Sequence, residues 1–176
     1  MLLYWWLRLG VLALCLGISV YTDVTQGKIR NLVTLPGIVA GLILSTLQSG
    51  TPGTWDSLLG LAVGVALPLP LFAIRQLGGG DVKLLGLVGA LLGRDLALRS
   101  VLCTALCGGL LACLLLLLRR KLLVALRNMG RSFLLRALGA DLPPADGPEK
   151  QALPYAVAIA LGTLLALTAG RWVVGS

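Results

Sequence analysis

Six apolar runs decide what this chain can fold into: residues 2–22, 32–47, 58–74, 82–92, 96–118 and 152–169. A helix needs about 20 apolar residues to cross a bilayer core of about 30 Å, and most of these runs approach that length. Of the 176 residues, 57% are hydrophobic and 12% charged, which places the chain outside the range of soluble domains. Leucine and alanine dominate the runs and no strand-like alternation interrupts them, so they read as helices rather than barrel strands. The expected fold is all-α: a polytopic membrane protein with about six transmembrane helices, forming a single membrane-embedded domain over residues 1–176.

The first run does not read as a secretory signal. It has only Arg8 near its start, lacks a small-x-small cleavage pattern, and ends at Asp23. The fourth run, at 82–92, is too short to span alone, and its status sets the topology. Lysine and arginine arbitrate, because they accumulate in short cytoplasmic loops. With six crossings and both termini outside, eleven of the fifteen basic residues fall inside, leaving Arg8, Arg94, Arg99 and Arg171 outside. If the fourth run failed to cross, the split would be seven inside to eight outside. Tryptophan prefers the headgroup level, and in the six-span arrangement Trp5, Trp6, Trp55 and Trp172 all fall at the outer interface.

The net charge of +8 is accounted for by this orientation signal and by attraction to anionic lipid, so no nucleic-acid partner is expected. The four cysteines, Cys15, Cys103, Cys107 and Cys113, all lie in apolar runs without a CxxC pair, and they read as packing residues. The one sizeable extramembrane segment is a cytoplasmic loop at 119–151. Its first half, 121–138, has the periodicity of an amphipathic helix on the inner leaflet, and its second half is a proline-rich turn segment.

Chemistry is narrowed by an absence. The sequence contains no histidine, which removes histidine-based triads and histidine-ligated zinc. No cofactor and no metal is expected. Of seven carboxylates, Asp56, Asp95, Asp141, Asp146 and Glu149 read as solvated surface charges. Asp23 and Asp81 differ, because each stands where an apolar run meets the cytoplasm, and ionisable groups at that depth usually mark function. Asp81 closes the run Leu77-Gly78-Gly79-Gly80-Asp81, whose glycines are expected to permit positive φ and let the backbone leave helical geometry. Two aspartates at one membrane level suit an aspartyl protease: one ionised to take a proton from water, the other protonated to polarise the scissile carbonyl. The alternative is a small non-enzymatic transporter or assembly subunit that uses the carboxylates for protons or cations, though a transport site is more often near mid-membrane.

The residues also carry a resemblance. Gly78-Gly79-Gly80-Asp81 fits the GxGD signature, Asp23 followed by Lys28-Ile29-Arg30-Asn31 resembles the first aspartate block, and Leu153-Pro154-Tyr155 resembles a short proline motif before the last span. In order and spacing the chain resembles the type IV prepilin peptidases, with proline usual where this chain has Arg30. That resemblance implies a bacterial inner-membrane aspartyl endopeptidase with its active site facing the cytoplasm. It implies Asp23 and Asp81 as the catalytic pair, no cofactor, and prepilin or pseudopilin precursors as partners, cut after a basic leader. A preflagellin peptidase would share the chemistry. Lacking CxxC pairs and a long insertion, the chain resembles the small peptidase-only members.

Overall fold

A computed structural model of the chain describes residues 2–73, 77–118 and 155–173, with side chains described as far as 114 and 168 in the last two stretches. Every element among the described residues is a helix: α1 (Leu2–Gln26), α2 (Asn31–Ala66), α3 (Leu69–Ala73), α4 (Gly79–Leu92), α5 (Arg94–Leu118) and α6 (Tyr155–Val173). The all-α expectation is met, and the described residues of each apolar run lie mostly on helix. Three stretches, Leu2–Gln26, Asn31–Ala73 and Arg94–Leu114, are long and apolar enough to cross a membrane, and α6 carries a shorter apolar stretch, Tyr155–Thr168. The loop expected at 119–151, with Asp141, Asp146 and Glu149, lies outside the described residues.

Many large apolar side chains face outward. Leu32, Leu106 and Leu110 are each about three-quarters exposed or more. The buried positions of α2 are all small, among them Thr34, Gly37, Gly41, Ser57, Gly60 and Gly64. Helices in lipid gain nothing by hiding leucine from hydrocarbon, so small residues take the interfaces and let backbones approach closely. This surface is that of a membrane protein.

The chain divides into two compact units, one formed by Met1–Gly108 with Pro154–Ser176 and the other by Gly109–Leu153. Of the second, the described residues comprise the end of α5. In the first, α4 is the central element. Ten of its fourteen residues are buried, and Leu84, Leu87, Val88 and Leu91 are fully enclosed. At about 21 Å by helical rise it is shorter than a bilayer core, which suits a helix whose neighbours are protein rather than lipid. It does not run on past Arg94: Gly93, at φ 82°, ends it, and Asp56 Oδ1 accepts the Arg94 N–H at 3.1 Å at the start of α5.

α2 holds α4 from two sides because it folds back at Gly50, where φ is 64° and ψ is −143°. Eight residues of straight helix would separate Ser45 from Gly53 by about 12 Å, yet the Ser45 hydroxyl donates to the Gly53 carbonyl at 2.7 Å. The first half of α2 packs Gly37 and Gly41 against Leu87 and Ala90 of α4, and the second half packs Gly60 and Gly64 against Gly89 and Leu85. These positions have no room for a Cβ.

The other end of α1 is fixed by a buried charge. Arg8, read from the sequence as an outer orientation charge, is 6% exposed; its Nε donates to the Leu91 carbonyl at 2.6 Å and its Nη1 to Gln48 Oε1 at 3.0 Å. It thus satisfies a carbonyl at the C-terminus of α4 that the helix itself leaves unpaired. Trp5, whose ring centroid lies 5.8 Å from the Arg8 guanidinium carbon, stands at this end with Asp56 and Arg94. The two aspartates singled out in the sequence, Asp23 and Asp81, stand at the opposite end.

Candidate active site

Asp23 lies in the last turn of α1. The helix ends because Gly27 turns left-handed at φ 61°, its N–H returning to the Asp23 carbonyl at 2.9 Å. This C-terminal glycine cap directs the segment 27–30 back across the end of the bundle. The Asp23 side chain is 9% exposed, and its Oδ2 accepts the N–H of Ala156 at 3.0 Å. Ala156 is the second residue of α6, so that N–H is one of the four that a helix start leaves without an internal partner. Lys28 and Arg30, the cations that follow Asp23 in the sequence, make no salt bridge with it among the described residues. The Arg30 guanidinium holds Gln26 Oε1 at 3.0 and 3.2 Å.

Asp81 is the third residue of α4, ahead of that helix's apolar run. Its Oδ2 reaches back to accept the Gly78 N–H at 3.1 Å, while the Asp81 N–H donates to the Gly78 carbonyl at the same distance. The side chain therefore caps its own helix, which fixes the carboxyl's direction. Burial, and after it the charge of Asp23, push its pKa up to about 6, against the opposing Gly78 N–H. The fold thus brings Asp23 and Asp81, 58 positions apart by subtraction of their numbers, within electrostatic reach. The Tyr155 phenol at the head of α6 lies close enough to Asp81 for its charge to act on it.

The glycines ahead of Asp81 do not unwind the backbone. Gly78 is extended at φ −75°, ψ 148°, Gly79 and Gly80 open α4, and none of the three has positive φ. What matters is the absent Cβ. A Cβ on Gly78 would lie 2.9 Å from the Asp81 carboxylate, and one on Gly80 would lie 2.9 Å from Ile29 Cβ, whereas one on Gly79 would make an ordinary 3.4 Å contact with Phe72. The two tight positions, Gly78 and Gly80, are the ones that line up with the fixed glycines of the GxGD pattern this run resembles, and the tolerant one lines up with its variable position. The Gly80 contact presses the start of α4 onto segment 27–30, and Lys83 Nζ donates to Asn31 Oδ1 at 3.0 Å beside it.

Arg30, where the resemblance leads one to expect proline, adopts φ −82° and ψ 131° at the N-cap of α2. A proline ring would hold φ near about −65°, so arginine keeps nearly the same backbone course.

Asp95 is a surface charge, paired with Arg94 at 3.2 Å. Asp56 is exposed but caps α5, as described above. All four cysteines are unpaired, and Cys15 is buried. Sequence reasoning missed the Ala156 N–H and Ile29 as site components. The proline at 154 was a usable signal, since a proline ahead of an apolar run marks a helix start and its free N–H groups.

The model of a family described as the type IV leader peptidase family matches residues 10–113. No curated protein and no solved structure matches the chain.

Proposed function

This chain belongs to the type IV leader peptidase family, and from that premise we propose that it is an aspartyl endopeptidase with Asp23 and Asp81 as its catalytic pair. The observation that supports the reading is that these two carboxyls stand at one end of the bundle within electrostatic reach of each other, one held by a helix N-terminus and the other pushed up to about 6 by burial and its neighbour's charge. An unequal pair is what this chemistry needs.

Asp23, accepting a backbone N–H on one oxygen, has its other oxygen available to take a proton from water. Asp81 keeps its proton and donates it toward the scissile carbonyl oxygen. The water oxygen bonds to the carbonyl carbon, giving a tetrahedral diol. Asp23 then returns its proton to the leaving amine as the C–N bond breaks, and Asp81 recovers the proton from the collapsing hydroxyl. No proton is gained or lost over the cycle.

The substrates in this reading are prepilin or pseudopilin precursors, cut after a basic leader. The face that carries Asp23 and Asp81 is the cytoplasmic face of a bacterial inner membrane, in a chain of six crossings with both termini outside. Two features support that arrangement: among the described residues α1, the two halves of α2 and α4 run in turn between the Arg8 end and the Asp23 end, and the basic residues of the sequence split eleven to four.

The direct test is to incubate the purified chain in lipid nanodiscs with a synthetic precursor, made of a basic leader, a glycine and an apolar helix, and to weigh the products. Release of the intact leader, undiminished by a chelator, is expected. An uncut precursor, or a cut that a chelator abolishes, would remove the proposal.

A further inference from the structure

Arg8 is a buried ionisable group that the proposed chemistry does not use. Among the described residues the buried charged side chains are Arg8 and Asp23, and both belong to α1, one toward each end. Each closes on an end of another helix: Asp23 accepts the Ala156 N–H at the start of α6, and the Arg8 Nε donates to the Leu91 carbonyl at the end of α4. Charge and helix end match in both places, an anion at a start and a cation at a finish. A charge inside an apolar bundle is costly, and it usually marks a function.

Three helices meet at Arg8. Two successive carbonyls at the end of α4 are taken by side chains, Leu91 by Arg8 of α1 and Ala90 by the Ser57 hydroxyl of α2 at 2.6 Å. The second arm of Arg8, Nη1, holds Gln48 of α2, a task suited to a guanidinium because its donors form a rigid fork. Among the described residues no other hydrogen bond joins α1 to α4. Elsewhere the two helices give the core apolar side chains, Leu12, Cys15 and Leu16 from α1 and Leu84 and Leu87 from α4. Apolar faces fix how close two helices lie but hold one axial register only weakly, whereas a directional bond to one carbonyl selects it. Neither helix contains proline, so a shift at one end is carried along the rod to the other. At 1.5 Å per residue, Asp23 lies about 22 Å from Arg8 along α1, and Asp81 about 15 Å from Leu91 along α4.

We infer that Arg8 is a positioning residue for the acid pair: by clamping the end of α4 it fixes the axial register of α1 and α4, and with it the spacing of Asp23 and Asp81 at the far end. Its consequence for rate rests on the peptidase reading above; its consequence for the geometry of the pair does not.

The experiment follows the titration of the Asp81 carboxyl by its infrared band, assigned by its loss in Asp81→Asn, in the full chain in lipid nanodiscs, beside kcat and KM on the synthetic precursor. The groups that act on Asp81 are Asp23 from α1, Tyr155 from α6 and the Gly78 N–H of its own helix start. Arg8→Met keeps an apolar stem and removes the clamp, so the Asp23 charge acts less on Asp81, which should titrate at lower pH. The kcat should fall about tenfold or more, with KM within about threefold. Arg8→Lys, which keeps a donor for Leu91 but not the fork, should restore much of both. In an Asp23→Asn background Arg8→Met should move the titration no further, because the charge that the clamp brings into register is gone. Gly60→Ala, which pushes α2 off α4 near the same end without touching Arg8, should leave the titration in place. Gln48→Met, a milder variant that stands even if Arg8→Met fails to insert, should shift the titration in the same direction by less. An unmoved titration in Arg8→Met and Gln48→Met, an equal shift in Gly60→Ala, or a shift that persists in the Asp23→Asn background overturns the clamp. A wild type that cuts no precursor overturns the peptidase reading, and the titration then decides the clamp alone.

Discussion

Alanine at Gly80 and alanine at Gly79 differ by one position and should differ greatly in effect. A Cβ at 80 would stand 2.9 Å from Ile29 Cβ, a branched atom in a segment held by the Gly27 cap. Ordinary carbon contacts begin at about 3.5 Å, so α4 and segment 27–30 must part by roughly 0.6 Å. Asp81 is the next residue and moves with the helix start, away from Asp23. Misplacement of a catalytic group by about 1 Å can cost roughly a hundredfold in rate. The overpacking itself costs about 1–3 kcal/mol, which a helical bundle can absorb without unfolding. Gly79→Ala meets Phe72 at an ordinary 3.4 Å and exchanges a poor helix former for a good one. Cleavage of precursor by membranes holding equal amounts of each variant should therefore fall by one to two orders of magnitude, about tenfold to a hundredfold, for Gly80→Ala and by no more than about threefold for Gly79→Ala. Equal rates in the two variants would refute the claim that the glycine matters for the close approach of Ile29. A loss only at Gly79 would point instead to backbone freedom as the reason.

The pH profile follows from Asp81. Because its pKa is raised to about 6, it keeps its proton from the ordinary carboxyl range up to that value, and kcat/KM should decline as pH rises through about 6. Substrate excludes more water, so the kcat limb should lie at higher pH than the kcat/KM limb; a flat profile across that range contradicts the assignment. Removing the Asp23 charge in Asp23→Asn should bring the Asp81 pKa down, measured by the infrared carboxyl band, and no movement would mean that the two groups do not sense each other. Arg8→Met leaves the Leu91 carbonyl and Gln48 without their donor and should destabilise the bundle by about 1–3 kcal/mol in a detergent unfolding titration, against no change if Arg8 is only an orientation charge. Gly60→Ala drives a methyl into the Gly89 backbone and should lower the thermal midpoint, whereas Gly10→Ala, with nothing within 4 Å, should not.

Much of the candidate site was legible because the chain is so poor in charge. Asp23 and Asp81 stood out against long apolar runs, and the missing histidine left carboxylates as the candidates. The donor to Asp23 was not legible as a residue type, since a backbone N–H of Ala156 has no side-chain signature. The glycine run was misread for a physical reason: glycine serves both where φ is positive and where a Cβ would collide, and sequence does not distinguish the two. Beside the candidate site it is Gly27, within the Asp23 block, that uses positive φ. Arg8 was assigned by its position near a helix end, because its partner, the Leu91 carbonyl, lies 83 residues away. The short fourth run looked doubtful as a crossing by length, yet its length is that of a helix enclosed by others. The fold-back of α2 rests on Gly50, which lies between two runs that the sequence did separate correctly.

The central claim is that Asp23 and Asp81 act as one unit, and the most direct measurement is a double-mutant comparison on a single precursor. Wild type, Asp23→Asn, Asp81→Asn and the double variant, each confirmed to be inserted at equal level, are assayed for release of the leader. Paired residues that share one catalytic step lose most of their rate on the first substitution, so each single variant should fall by about a thousandfold or more and the double should be no worse. Full activity in either single variant, or losses that multiply in the double, would contradict the account.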